Sequence, residues 1–201
     1  MRTRTIRTID LPAPRSRGPA SLEQALAARR SVRTFTDQVL ALHQLSQLLW
    51  AAQGITVDWG GRTAPSAGAL YPLEVYAAGP EGLYHYLPVG HRAELIAAAD
   101  LRASLAEAAL GQAAVAEAAV VLVIAAVHER TEVKYGARAE RYVTLEAGHA
   151  AQSVLLQAVA MGLGAVPIGA FSDEDVRRLL GLPQDHTPLY LIPIGHPAPE
   201  G

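Results

Sequence analysis

The chain has 201 residues, half of them hydrophobic but only 5% aromatic, with a formal net charge of −2. That length suits one domain of ordinary size, and a near-neutral charge offers no basic field for nucleic acid. The chain has no cysteine, which excludes disulfides, thiolate nucleophiles and Cys-based metal or iron–sulfur sites.

Residues 1–20 carry three Pro among Arg and small polar residues and read as an extended arm; residues 21–201 read as a single domain. The basic first residues lack an apolar stretch behind them, so they do not read as a signal peptide. Ser21 caps a helix that begins at Leu22 and runs toward Arg29. Ser31–Asp37 breaks the helical pattern. Residues 41–53 repeat apolar residues at helical spacing and stop at Gly54. Thr56–Tyr71, rich in Gly, Ser and Pro, reads as irregular. Leu73–Ala78 and Leu83–Leu87 read as strands of a hairpin joined by a Gly-Pro-Glu-Gly turn. Residues 91–117 are Ala-rich and read as helical. Ala118–Val127 is apolar on both faces, as a strand covered on two sides must be, and is too short to span a bilayer. His128–Arg138 is polar and reads as a loop or short helix. Arg141–Met161 reads as the longest helix. Val166–Ile168 reads as a short buried strand, Asp173–Leu180 as a helix capped by Ser172, and Leu189–Gly195 as a last strand. A hairpin mixed with helix-separated strands predicts an α+β sandwich and not a regular doubly wound fold. The Ala-rich composition fills volume poorly, so long helices and a subunit contact that completes the core are expected. Nothing points to a membrane or away from the cytoplasm.

Five constellations could carry chemistry. Arg29, Arg30, Ser31 and Arg33 place three guanidinium groups and a hydroxyl at a helix end. Their planar forks match phosphate oxygens, although cations also favour a helix C-terminus with no ligand present. Thr63–Pro72 is built of small residues that let backbone approach a ligand, or simply form a turn. Gly162–Gly169 has the glycine spacing of a dinucleotide loop for two of three positions. However, it follows a helix, enters a strand and has Pro167 at the third position, so a Rossmann site is rejected. Glu146 and His149 have the Glu-x-x-His spacing of di-iron bundles. No second copy exists, so they read as a satisfied polar pair at a helix or subunit contact. Lys134 and Tyr135 could serve as acid and base if a cleft desolvates them, or form a solvated surface pair.

In chain order these pieces resemble the nitroreductase superfamily, and within it the SagB-type dehydrogenases, which include thiazole- and oxazole-forming peptide oxidases. The resemblance rests on RRSVRTF, RTAPSAGALYPLEVY, GLYHYLPVGHRAEL, KYGARAERYVTLEAGHAAQSVLLQAVAMGLGAVPIGAF and LYLIPIGHP, and spans about residues 21–197. It implies an α+β fold with a mixed, mostly antiparallel sheet flanked by helices, and an intertwined homodimer with FMN at the subunit interface. Arg29, Arg30, Ser31 and Arg33 would then contact the FMN phosphate and the pyrimidine edge. Pro65, Ser66, Ala67, Gly68 and Leu70 would reach the flavin of the partner subunit. Gln112 would place an amide near the ring. Pro167, Ile168, Gly169 and Ala170 would run beside it, with an N–H of Gly169 or Ala170 at N5. Lys134 and Tyr135 match a pair associated with proton abstraction in the peptide oxidases. The implied activity is hydride transfer through flavin N5, linked to NAD(P)H or directed at a small-molecule or azoline peptide substrate. A flavin-binding protein without turnover is the alternative of another class. The chain departs from the family in lacking a Lys or Arg beyond the last strand, where only His196 stands.

Overall fold

The computed structural model describes residues 7–199. Its organising element is β5 (Val120–Val127), in which every residue is buried. Alternate residues of a strand point to opposite faces, and β5 uses both. Val120, Leu122, Ile124 and Ala126 join one apolar cluster, while Val121, Val123 and Ala125 join the other. The first cluster is closed by helices α2 (Leu42–Gln53) and α6 (Ala139–Ala160), through Leu48, Leu49, Val143, Ala147, Ala150 and Val154. The second is closed by α3 (Arg102–Ala108), α4 (Ala113–Glu117) and α7 (Asp173–Leu180), through Leu105, Val115, Val176 and Leu180. Helices on both faces of one sheet thus complete the α+β architecture expected from the element order.

The sheet has seven strands in the order β1-β4-β3-β2-β5-β7-β6. Here β1 is Arg7–Asp10, β2 Leu73–Gly79, β3 Gly82–Leu87, β4 Arg92–Ala97, β6 Gly164–Ala165 and β7 His186–Gly195. All neighbouring strands pair antiparallel, and one isolated parallel bridge, Ser31 to Ala165, makes the sheet mixed. The β2–β3 hairpin, α7 and the long helix lie where the sequence predicts them.

Two segments differ. Residues 91–117 were expected to be helical, but Arg92–Ala97 is strand β4, paired to β3 on one side and β1 on the other. Alanine's helix propensity is weak against two ladders of backbone hydrogen bonds. The strand expected at Val166–Ile168 is displaced: β6 is Gly164–Ala165, and Ile168 makes an isolated bridge to Leu191, with Pro167, which has no N–H, between them.

The first six residues of the N-terminal segment lie outside the described residues. The rest of it is extended, and the fold uses it as the edge of the sheet. Beyond β1, Leu11 is buried in the core. The Pro12 carbonyl lies 2.6 Å from Ser46 Oγ and 3.1 Å from His91 Nε2. Gln47 accepts from Arg15 N–H at 2.8 Å and donates to the Arg15 carbonyl at 3.1 Å.

Candidate active site

Helix α1 (Leu22–Ala28) is held at its start by a capping box between Ser21 and Gln24 and gives way at Arg29 to extended backbone. The Val32 N–H donates to the Ala165 carbonyl at 3.1 Å, which lays residues 31–33 beside β6. Only a glycine at 164 allows this, because a Cβ there would sit 2.6 Å from Val32 Cγ1. Strand alternation turns Ser31 and Arg33 away from Val32, and both are exposed. The three arginines divide in role. Arg30 Nη1 donates to the carbonyls of Ala27 (2.9 Å) and Arg29 (2.8 Å), closing the helix end. Arg29 and Arg33 have no carboxylate partner among the described residues.

Chain continuity brings the next piece alongside. From β6 the backbone passes Pro167 to Ile168, whose N–H and carbonyl pair with Leu191 at 2.8 and 3.0 Å. Gly169 and Ala170 then emerge into solvent, and their N–H groups make no hydrogen bond among the described residues. Gln112 lies beneath this loop. Its Nε2 donates to the carbonyls of Ala109 (3.0 Å), at the end of α3, and Ala170 (3.1 Å), so the amide ties the loop to that helix. The His196 carbonyl accepts from Thr36 N–H at 2.9 Å, while its Nε2 is buried without a partner.

The Pro65–Leu70 loop is a second locus. Ser66 Oγ accepts from Tyr71 N–H at 2.9 Å, and Ala67–Ala69 forms one 3-10 turn. Gly68, Ala69 and Tyr71 all have positive φ, of 64°, 55° and 48°. For the two non-glycine residues this conformation costs roughly 1–3 kcal/mol each. At Gly68 the need for glycine is doubled, since a Cβ there would lie 2.9 Å from Lys134 Nζ and 2.9 Å from Tyr135 Oη. The loop and the Lys-Tyr pair therefore converge on one point. Both residues end α5 (Glu129–Tyr135). Lys134 is exposed, and Tyr135 is half-buried, edge-on to Tyr142 at 4.9 Å.

Beneath this loop lies Glu146 of α6, 2% exposed. Burial pushes its carboxyl up to about 7, against the opposing pull of a Ser66 hydrogen bond and the nearby Arg62 cation. Its Oε1 has no hydrogen-bond partner among the described residues. Glu146 and His149 were expected to form a satisfied polar pair, and they do not: Glu146 turns inward under Ser66, and His149 is exposed. Residues three apart on a helix are neighbours, but here one lies at the inner edge of the helix and the other at the outer. Arg62, which the sequence reading passed over, stands one side of the loop, with its guanidinium 4.6 Å above the Tyr71 ring.

The two loci rest on different stretches of α6. The arginine segment lies against β6, just past the C-terminal end of α6, whereas Ser66 lies over Glu146. From Glu146 to Ala160 the helix rises about 20 Å.

An antiparallel sheet covered on both faces, with an arginine segment at one end of its longest helix and a strained Pro-Ser loop nearer the other, defines a nitroreductase-like α+β fold. The chain belongs to the nitroreductase family, whose model matches residues 26–196. It is 45% identical over 180 residues to a protein of Methanocaldococcus jannaschii that carries the name nitroreductase, covering 87% of this chain and 90% of that one. It is 27% identical over 184 residues to an NAD(P)H FMN reductase of Bacillus subtilis, covering 87% of this chain and 65% of that one. A crystal structure described as a nitroreductase from Ralstonia eutropha superposes with a TM-score of 0.87 at 38% identity, covering 96% of this chain and 91% of that one.

Proposed function

We propose that this chain is an FMN-dependent oxidoreductase that works as a homodimer, each site drawing on both subunits. The observation that carries the reading is the pairing of unspent donors beside β6. Among the described residues, Arg29 and Arg33 lack carboxylate partners, and the Gly169 and Ala170 N–H groups lack acceptors. Exposed guanidinium forks suit a phosphate, and free backbone N–H groups suit the polar edge of a planar ring. The residues present therefore fit the nucleotide. When bound, FMN would supply a ring that takes a hydride from a donor such as NAD(P)H and passes it to an acceptor.

The chain's own residues take the remaining roles. Arg29, Ser31 and Arg33 hold the phosphate and the pyrimidine edge, while Arg30 shapes their segment. Pro167 and Ile168 set the height of the loop, and Gln112 fixes it through Ala170. Pro65, Ser66, Ala67, Gly68 and Leu70 lie about 20 Å along α6, so they serve the nucleotide held by a second copy. Apolar surface for that copy is present: Leu145 on the outer face of α6 is 51% exposed and Val133 is 84% exposed. Lys134 and Tyr135, converging on Gly68, hold or accept a proton at the substrate. Their position favours a second reading within the same chemistry, the SagB-type dehydrogenation of an azoline peptide, in which this pair takes the proton from carbon as the hydride leaves.

The test is the visible spectrum of the purified protein under anaerobic conditions. Flavin bands that bleach on adding NADH or NADPH are the expected result. Bands that persist with nicotinamides but bleach with a thiazoline peptide select the second reading, and bands that no donor bleaches indicate flavin binding without turnover. A colourless protein that stays colourless after incubation with FMN overturns the proposal.

A further inference from the structure

A cleft of about 300 Å³ opens between β2, β3 and the start of α5. The ionisable groups facing it are Arg62, Arg130, Glu74, His85 and Tyr86, whose hydroxyl lies 2.9 Å from His91 Nδ1. Three of them satisfy one another. Arg130 Nη2 lies 2.5 Å from Glu74 Oε1, and its Nη1 donates to the Tyr71 carbonyl at 3.2 Å. The other Glu74 oxygen lies 2.6 Å from His85 Nε2. Burial raises the Glu74 carboxyl, and the His85 and Arg130 partners outweigh it, holding the group below its ordinary value. Glu74 is thus spent on two partners.

Arg62 is left over. No carboxylate lies within 4.0 Å of it among the described residues, although Glu74 and Glu146 are near enough to attract it. Its Nη1 donates to Gln53 Oε1 at 2.7 Å. That bond also fixes the orientation of the Gln53 amide. With Oε1 turned to Arg62, Nε2 faces away from it, buried and without an acceptor among the described residues. A half-buried guanidinium whose side-chain hydrogen bond among the described residues goes to a neutral amide is costly, and an anionic acceptor in the cleft relieves it.

We propose that this cleft binds a small organic monocarboxylate, with Arg62 as its donor and Gln53 as the amide that orients the guanidinium. One guanidinium with no carboxylate in contact among the described residues calls for one negative charge, and its fork matches a carboxylate. Leu87, Pro88 and Val89 form the opposite wall and suit a short aliphatic body. The inference does not depend on the flavin reading, because none of these residues is assigned to the nucleotide.

The test is an NMR titration of the protein as purified with sodium butyrate in chloride-free buffer, with butyramide as the uncharged control. Saturable butyrate binding is expected, weaker by about tenfold or more for butyramide and for Arg62→Gln. Val89 is 72% exposed at the rim. Val89→Asp therefore leaves the core untouched, and like-charge repulsion should weaken butyrate several-fold. Stripping any flavin should leave the isotherm unchanged. The proposal fails if butyrate does not saturate, if butyramide binds as tightly, if both variants bind like the parent chain, or if binding disappears with the flavin.

Discussion

Glu146 ties the stability of the fold to pH through a single buried carboxyl. Its folded value is about 7, against 4.5 for the free side chain. Between those values the folded chain holds a proton that the unfolded chain has released. The stability it contributes is therefore complete below the unfolded value and is lost as pH rises through the folded one, by on the order of 3 kcal/mol. Glu146→Gln should flatten the fall in urea midpoint between about pH 5 and pH 8; an unchanged slope would show that another group is responsible. The sequence places the arginine cluster at a helix end and a tight turn at Gly68, and the structure has both, since each depends on local signals. Glu146 was misread because the spacing of Glu146 and His149 fixes their separation along a helix but not which of them faces inward. That direction is set by Ser66 and Arg62, about eighty positions away in the chain.

Among the elements, α7 was predicted residue for residue, since its signals are local. Ser172 accepts from Asp175 N–H, Asp173, Glu174 and Asp175 occupy the first turn, and Gly181 ends the helix with φ 60°. The same helix supports the candidate site, since Ser172 N–H donates to the Ala108 carbonyl at 2.9 Å just past the Gly169–Ala170 loop. Ser172→Ala should cost about 1 kcal/mol, lowering Tm by roughly 2–4 °C in calorimetry. No change would mean that the cap is redundant with tertiary packing. Strand β4 was not legible, because nothing local marks it. Its residues are held by β1 and β3, and the turn before it needs His91 at φ 49°, a conformation that no pattern of apolar residues announces.

At the scale of the molecule, the central strand was evident from ten consecutive apolar residues, Ala118–Val127, whereas the strand order was not. Placing β7 between β5 and β6, and β1 at the far edge, depends on pairings between distant segments, each decided by shape rather than composition. The separation of the two loci along α6 was equally hidden, and it has a consequence for inheritance as well as for chemistry. In the proposed pair, defects at opposite ends of that helix would fall in different sites, so two inactive chains would repair one another. A chain with Arg29→Ala and Arg33→Ala, mixed at equal amounts with a chain carrying Gly68→Val and refolded together, should recover flavin in about a quarter of all sites under random pairing. Each chain alone should recover almost none. If mixing restores nothing, both loci serve one chain's own site; if it does, the unit of function in this family member is the pair and not the polypeptide.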